Sequence, residues 1–120
     1  MKYNKNLVER DLQRQCEQVL NLKGYWRMTA KNAETLPTHK VAGWYCHLNQ
    51  AQRNPFLPDL IIKRGHLTLW CELKIPKSGK GRIKWRPGQR EMVEAGEWEL
   101  ATSMDEFSDI LSRFEGRKST

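Results

Sequence analysis

Apolar residues early in the chain recur at three- and four-residue spacing: Val8, Leu12, Cys16, Val19 and Leu20. That period predicts an amphipathic helix over residues 6–23, with Asn6 as its N-cap and Gly24 closing it. Residues 25–29 read as a first strand. From residue 30 to residue 57 the periodicity fades, and a structureless stretch of that length is uncommon inside a compact domain. This stretch is expected to be a functional excursion or to contain short elements around residues 41–48. Leu60-Ile61-Ile62 and Leu67-Thr68-Leu69-Trp70-Cys71 then flank Lys63-Arg64-Gly65-His66, the pattern of a β-hairpin. The run from Pro76 to Gly81 ends its second strand.

Pro87 suits the first turn of a second helix over residues 87–94, with Gly96 as its stop. Residues 98–102 alternate in the strand manner. Ser103 and Glu106 form a capping box, and Phe107, Ile110, Leu111 and Phe114 supply the apolar stripe of a closing helix. The last four residues, 117–120, read as a frayed end. The resulting order, α-β-β-β-α-β-α, predicts an α/β fold in which helices lie against a mixed sheet. No internal repeat appears, and a single domain spans residues 1–120.

The hairpin also carries the chemistry. A two-residue Gly65-His66 loop with Gly first, as a type II′ turn prefers, pairs Arg64 with Leu67. The same register sets Asp59 opposite Glu72. Directly opposed Cβ atoms lie roughly 4.5–5.5 Å apart, and like charges there repel. Lys74, two residues beyond Glu72, returns to the same face. Two acids and an amine converging on one spot point to metal-assisted hydrolysis. The bland alternative for each acid is an exposed strand position, and for Lys74 a solvated lysine blunting a sheet edge.

The Pro58-Asp59 … Glu72-Leu73-Lys74 arrangement resembles the PD-(D/E)xK nuclease superfamily. Nearly the whole chain resembles its VRR-NUC branch, which contains small stand-alone nucleases of viral and bacterial origin. The wider match comprises an opening helix with Glu9, the stretch Gly24 to Arg27, the hairpin, and Gln89 opening the next helix. Phe56 stands where the family has a small Gly before the Pro-Asp pair. The resemblance implies a restriction-endonuclease-like sheet and a Mg²⁺- or Mn²⁺-dependent endonuclease acting on duplex or branched DNA, with a Holliday-junction preference. It further implies a homodimer, the Leu73 carbonyl as a third metal oxygen, and a helix-one Glu9 near the metal. A phage-encoded enzyme acting in its host's cytoplasm is one setting for such a protein.

An all-oxygen ligand set of Asp59, Glu72 and Leu73 favours Mg²⁺ or Mn²⁺ over zinc. Such an ion, keeping water and phosphate in its other positions, supplies both an activated water and charge stabilisation. Lys74 could then act as base or as electrostatic clamp. Glu9 lies three residues after Asn6, where it could equally close a capping box. Gln89 could orient water or a phosphate oxygen from a helix start, or simply be a solvated polar residue. Lys77, Lys80, Arg82, Lys84, Arg86 and Arg90 follow the hairpin with no acid among them, and read as a phosphate-tracking arm. Trp85, Trp44 and Tyr45 are each stacking candidates or core anchors.

Composition sharpens rather than creates this picture. The 120 residues carry a net charge of +7, which favours an anionic partner. Hydrophobic content of 38% with five Trp suffices for a core. No apolar run is long enough to span a bilayer, and no signal peptide opens the chain. Cys16, Cys46 and Cys71 read as reduced thiols of a cytoplasmic protein. Zinc is disfavoured, because His39, Cys46, His47 and Cys71 lack ligand spacing. No small-molecule cofactor is expected. Two other function classes remain open beside the nuclease and its less selective nicking variant: a non-catalytic nucleic-acid-binding module, and a partner-binding protein with incidental charge.

Overall fold

A computed structural model describes residues 5–29, 43–47, 57–76 and 83–117. Its elements are α1 (Lys5–Leu22), β1 (Tyr25–Met28), β2 (Gly43–His47), β3 (Leu60–Arg64), β4 (Leu67–Leu73), α2 (Gln89–Glu94), β5 (Glu99–Ala101) and α3 (Met104–Glu115). The strands form one five-stranded sheet in chain order, β1-β2-β3-β4-β5. The outer pairs β1–β2 and β4–β5 are parallel, and the inner pairs are antiparallel. The fold is therefore α/β with a mixed sheet, as the sequence predicts, but the element order gains a strand. That strand, β2, falls within residues 30–57, where short elements are one of the two expectations. Among the described residues, no helix is long and apolar enough to cross a membrane.

One face of the sheet holds the core. Leu12, Cys16 and Leu20 of α1 and Phe107, Ile110, Leu111 and Phe114 of α3 pack over Tyr25, Tyr45, Leu60, Ile62, Leu69, Cys71, Leu73 and Ala101. Alternation along β4 sends Leu69, Cys71 and Leu73 into this core and Glu72 to the other face. Tyr45 is wholly buried, and its hydroxyl donates to Asn21 Oδ1 at 3.1 Å. It is a core anchor, not a base-stacking surface. Trp44 and Trp85 are half-buried.

The helix termini follow the sequence with three corrections. α1 begins at Lys5, so Asn6 lies inside the helix and does not cap it. Gly24, at φ 92°, closes α1 as expected. α2 begins only at Gln89, because Pro87 and Gly88 form a turn in front of it. Ser103 caps α3 as predicted, its Oγ accepting from Glu106 N at 3.2 Å. Glu106 answers at Thr102, whose N–H and hydroxyl both donate to Oε1, one residue earlier than a capping box requires.

The closing end of α3 ties three elements together. Glu115 accepts from Lys23 Nζ at 2.9 Å and from the Tyr25 hydroxyl at 3.0 Å, while its carbonyl accepts from Arg64 Nη1. Burial and these carboxylate contacts push the Tyr25 hydroxyl above its ordinary range.

Gly43 is the tightest point of the sheet. A Cβ there would run into the Lys63 carbonyl and the Tyr25 ring. Gly43→Ala is expected to lower stability by about 1–3 kcal/mol through forced strand separation. Denaturant unfolding checks this, and an unchanged midpoint would show that β2 can shift freely against β3.

Candidate active site

The observed hairpin pairs Arg64 with Leu67, Ile62 with Leu69 and Leu60 with Cys71, as the two-residue loop requires. Gly65 has the positive φ, 63°, that primed turns need. Continuing the register past Leu60 brings Asp59 to Glu72. β3 itself stops at Leu60, however, and the chain bends at Asp59. The bend turns the Asp59 side chain onto β4, where Oδ2 accepts from the Leu73 N–H at 2.8 Å.

That contact gives the Pro-Asp pair a physical meaning. Lys74 N donates to Ala101 O at 3.1 Å, so Lys74 directs its main-chain groups toward β5. Leu73 therefore directs both N–H and C=O toward β3, since the two point the same way in an extended strand. Extending the register beyond Leu60 would set Pro58 opposite Leu73; Pro58 is fully buried and has no N–H to give. Asp59 takes up the Leu73 N–H in its place.

Glu72 is 2% exposed. Its Oε2 accepts from Gln89 Nε2 at 3.2 Å and lies 3.5 Å from Lys74 Nζ. Its Oε1 is buried without a hydrogen-bond partner. A buried acceptor with no donor costs on the order of 1–3 kcal/mol, more when charged. Burial accordingly pushes the Glu72 carboxyl up to about 8; the Asp59 charge and a hydrogen bond to Asp59 act in the same direction, and Lys74 opposes them.

Glu9 reaches the same region from α1. Its carboxyl is raised by burial and by Asp59, and drawn down by Lys74 and Arg86, so all three charges lie within Coulomb range of it. Among the described residues, no three His, Cys, Asp or Glu side chains form a metal-holding group. Glu9 thus feels the charges of Lys74 and Asp59 without completing a three-acid cluster. With Asn6 within α1, the expected capping box of Glu9 on a helix start at Asn6 does not apply.

Gln89 departs most from expectation. It is 2% exposed, not solvated, and its amide is committed at both ends. The sequence offers no signal for these partners, because Gln is at home on any helix surface. Arg86 and Lys84 are exposed, and exposed Arg90 pairs with Glu94 at 2.9 Å. Lys77, Lys80 and Arg82 lie outside the described residues, as do Phe56 and His39. Cys16 and Cys71 are buried core thiols, and burial pushes Cys16 up to about 12. Neither is a ready thiolate.

The structure brings Glu72 within reach of both Lys74 and Asp59, while the Asp59–Leu73 hydrogen bond is a contact the sequence does not announce. Comparison of the chain with family models, curated proteins and solved structures finds no match.

Proposed function

We propose that this protein is a Mg²⁺- or Mn²⁺-dependent endodeoxyribonuclease of VRR-NUC type with a restriction-endonuclease-like sheet. The observation that carries this reading is the buried, partnerless Glu72 Oε1 beside the Asp59 carboxylate. Repulsive burial of that kind persists in a fold when something else requires it. Asp59, Glu72 and the Leu73 carbonyl are hard oxygen donors, which suit Mg²⁺ or Mn²⁺. When bound, such an ion supplies an activated water and neutralises charge developing on the phosphoryl group.

The chain's own groups do the rest. Asp59 carries negative charge to the site while anchoring itself on Leu73 N–H. Lys74, its side chain 12% exposed, has an ammonium with which to orient the attacking water or hold a phosphate oxygen. Arg86 and Glu9 stand at the rim. The +7 charge favours a polyanionic substrate. By family resemblance that substrate is branched DNA, and a homodimer would place two sites on symmetry-related strands.

Incubating linear duplex, nicked duplex and a four-way junction with Mg²⁺ or with EDTA tests this directly. Cleavage is expected only with Mg²⁺ and fastest on the junction. Equal rates on all three would leave a nicking nuclease. Salt-dependent binding with no cleavage in Mg²⁺ or Mn²⁺ would leave a non-catalytic module.

Changing Lys80, Arg82 and Lys84 together to Ala is expected to weaken DNA binding at every sequence. The slope of log affinity against log salt should flatten by about 0.9 for each phosphate no longer neutralised. An unchanged slope would mean that this segment does not touch phosphate.

A further inference from the structure

The chain from Arg86 to Gln89 reads Arg-Pro-Gly-Gln. Gln89 N donates to Arg86 O at 3.1 Å, and Gly88 has φ 86° and ψ −18°. These are the marks of a type II β-turn, with Pro at its first central position and Gly at its second. The Gln89 side chain then folds back over the turn. Its Oε1 accepts from Arg86 N at 2.9 Å, so Gln89 grips both the N–H and the carbonyl of Arg86. The other end of the same amide, Nε2, donates to Glu72 Oε2. An amide alone among side chains of this length offers an acceptor and a donor side by side. Only one orientation of it satisfies an N–H on one side and a carboxylate on the other.

The turn lies at a junction in the chain. Before it stand the exposed Lys84 and Arg86, and beyond its side chain stands the acid with the partnerless oxygen. We infer that Gln89 is a positioning residue that couples the two: phosphate engagement at the exposed Lys84 and Arg86 and cation binding at Glu72 favour each other through its amide. The inference rests on the nuclease reading above for the identity of both ligands. Gln89 is not a catalytic residue in this account, because its side chain is buried and turned onto Arg86 N and Glu72. Coupling of this sort is reciprocal, so DNA must raise cation affinity by the same factor that the cation raises DNA affinity.

The test measures Ca²⁺ binding by calorimetry with and without a short duplex; Ca²⁺ takes the same oxygen donors, and intact duplex is verified on a gel after each titration. Wild-type protein is expected to bind Ca²⁺ roughly fivefold or more tightly with DNA present. Gln89→Met, similar in length but without donor or acceptor, should lose that gain. Arg86→Ala and Arg86→Pro both lose the guanidinium, but only Pro also loses the N–H, and an extended residue before Pro87 tolerates it. Arg86→Pro should therefore bind Ca²⁺ about fivefold more weakly than Arg86→Ala even without DNA. A full DNA-dependent gain in folded Gln89→Met, or identical affinities in the two Arg86 variants, overturns the inference.

Failure of wild type to bind any divalent cation would instead sink the nuclease reading. The coupler is then decided by hydrogen exchange alone. Glu72→Ala should speed exchange of the Arg86 amide about tenfold by freeing Gln89, and an unchanged rate refutes the coupling.

Discussion

Glu72→Gln is expected to reduce DNA cleavage by about 10³-fold or more while leaving duplex affinity within about twofold of wild type. The substitution keeps size and shape, and the new amide oxygen can still accept from Gln89. What disappears is one of two negative charges that would hold the cation. Asp59→Asn should behave alike, for a related reason. Its amide oxygen can still accept the Leu73 N–H that Asp59 takes at 2.8 Å, so the local backbone is preserved and only charge is lost. Because the proposed phosphate-binding groups lie on other residues, affinity should survive. Single-turnover cleavage and fluorescence anisotropy, measured on the same preparations, separate the two quantities. Near wild-type cleavage in either variant would remove both acids from the site.

In EDTA the wild-type protein is expected to lose stability as pH rises from about 4.5 to about 8, whereas Glu72→Gln should show no such loss from this group. Burial and Asp59 raise the folded-state pKa of Glu72 from its ordinary 4.5 to about 8. Between those values the folded state keeps a proton that the unfolded state has released. Stability rises with pH only where the unfolded state binds more protons, so here it falls. The stabilisation from the bound proton is fully present below pH 4.5 and gone above 8. A single group contributes at most about 1.4 kcal/mol per pH unit. The acids titrate as a pair, so the slope belongs to the pair and not to Glu72 alone. Divalent cation must displace the proton held by Glu72, so Mg²⁺ affinity should strengthen with pH across the same window. Urea midpoints at pH 5, 6, 7 and 8, with EDTA and with Mg²⁺, give the comparison. Parallel curves for wild type and Glu72→Gln would mean that Glu72 is not held protonated by its surroundings.

These two results would also weigh against each other. Glu72→Gln should be more stable than wild type at pH 8 without metal, and inactive with it. An acid that destabilises the free protein is retained for what it binds.

Much of this is legible in the residues alone. The Arg64–Leu67 pairing follows from a two-residue loop, and one register then fixes every side chain to a face, because a strand has a period of two. Phe107, Ile110, Leu111 and Phe114 announce α3 by spacing alone, and all four are buried. Ser103 announces its start. β2 is less legible, since Gly43–His47 carries an aromatic run with no clean alternation. Its place depends on a close approach of Gly43 to Lys63, which only the folded sheet creates. α1 shows a different limit: Asn6 has the right chemistry for a cap, but nothing local forbids the helix from starting one residue earlier.

The sequence by itself determined the hairpin, its register, and hence the meeting of Asp59, Glu72 and Lys74, because each depends on neighbours within about fifteen residues and on the fixed geometry of a strand. The tertiary structure alone decided that Asp59 bends to take the Leu73 N–H, that α2 turns Gln89 onto Glu72, and that Glu72 Oε1 is buried without a partner. Those are properties of burial and of elements meeting across the chain. A residue's identity states which hydrogen bonds it can make; only the packed fold determines which of them remain unmade.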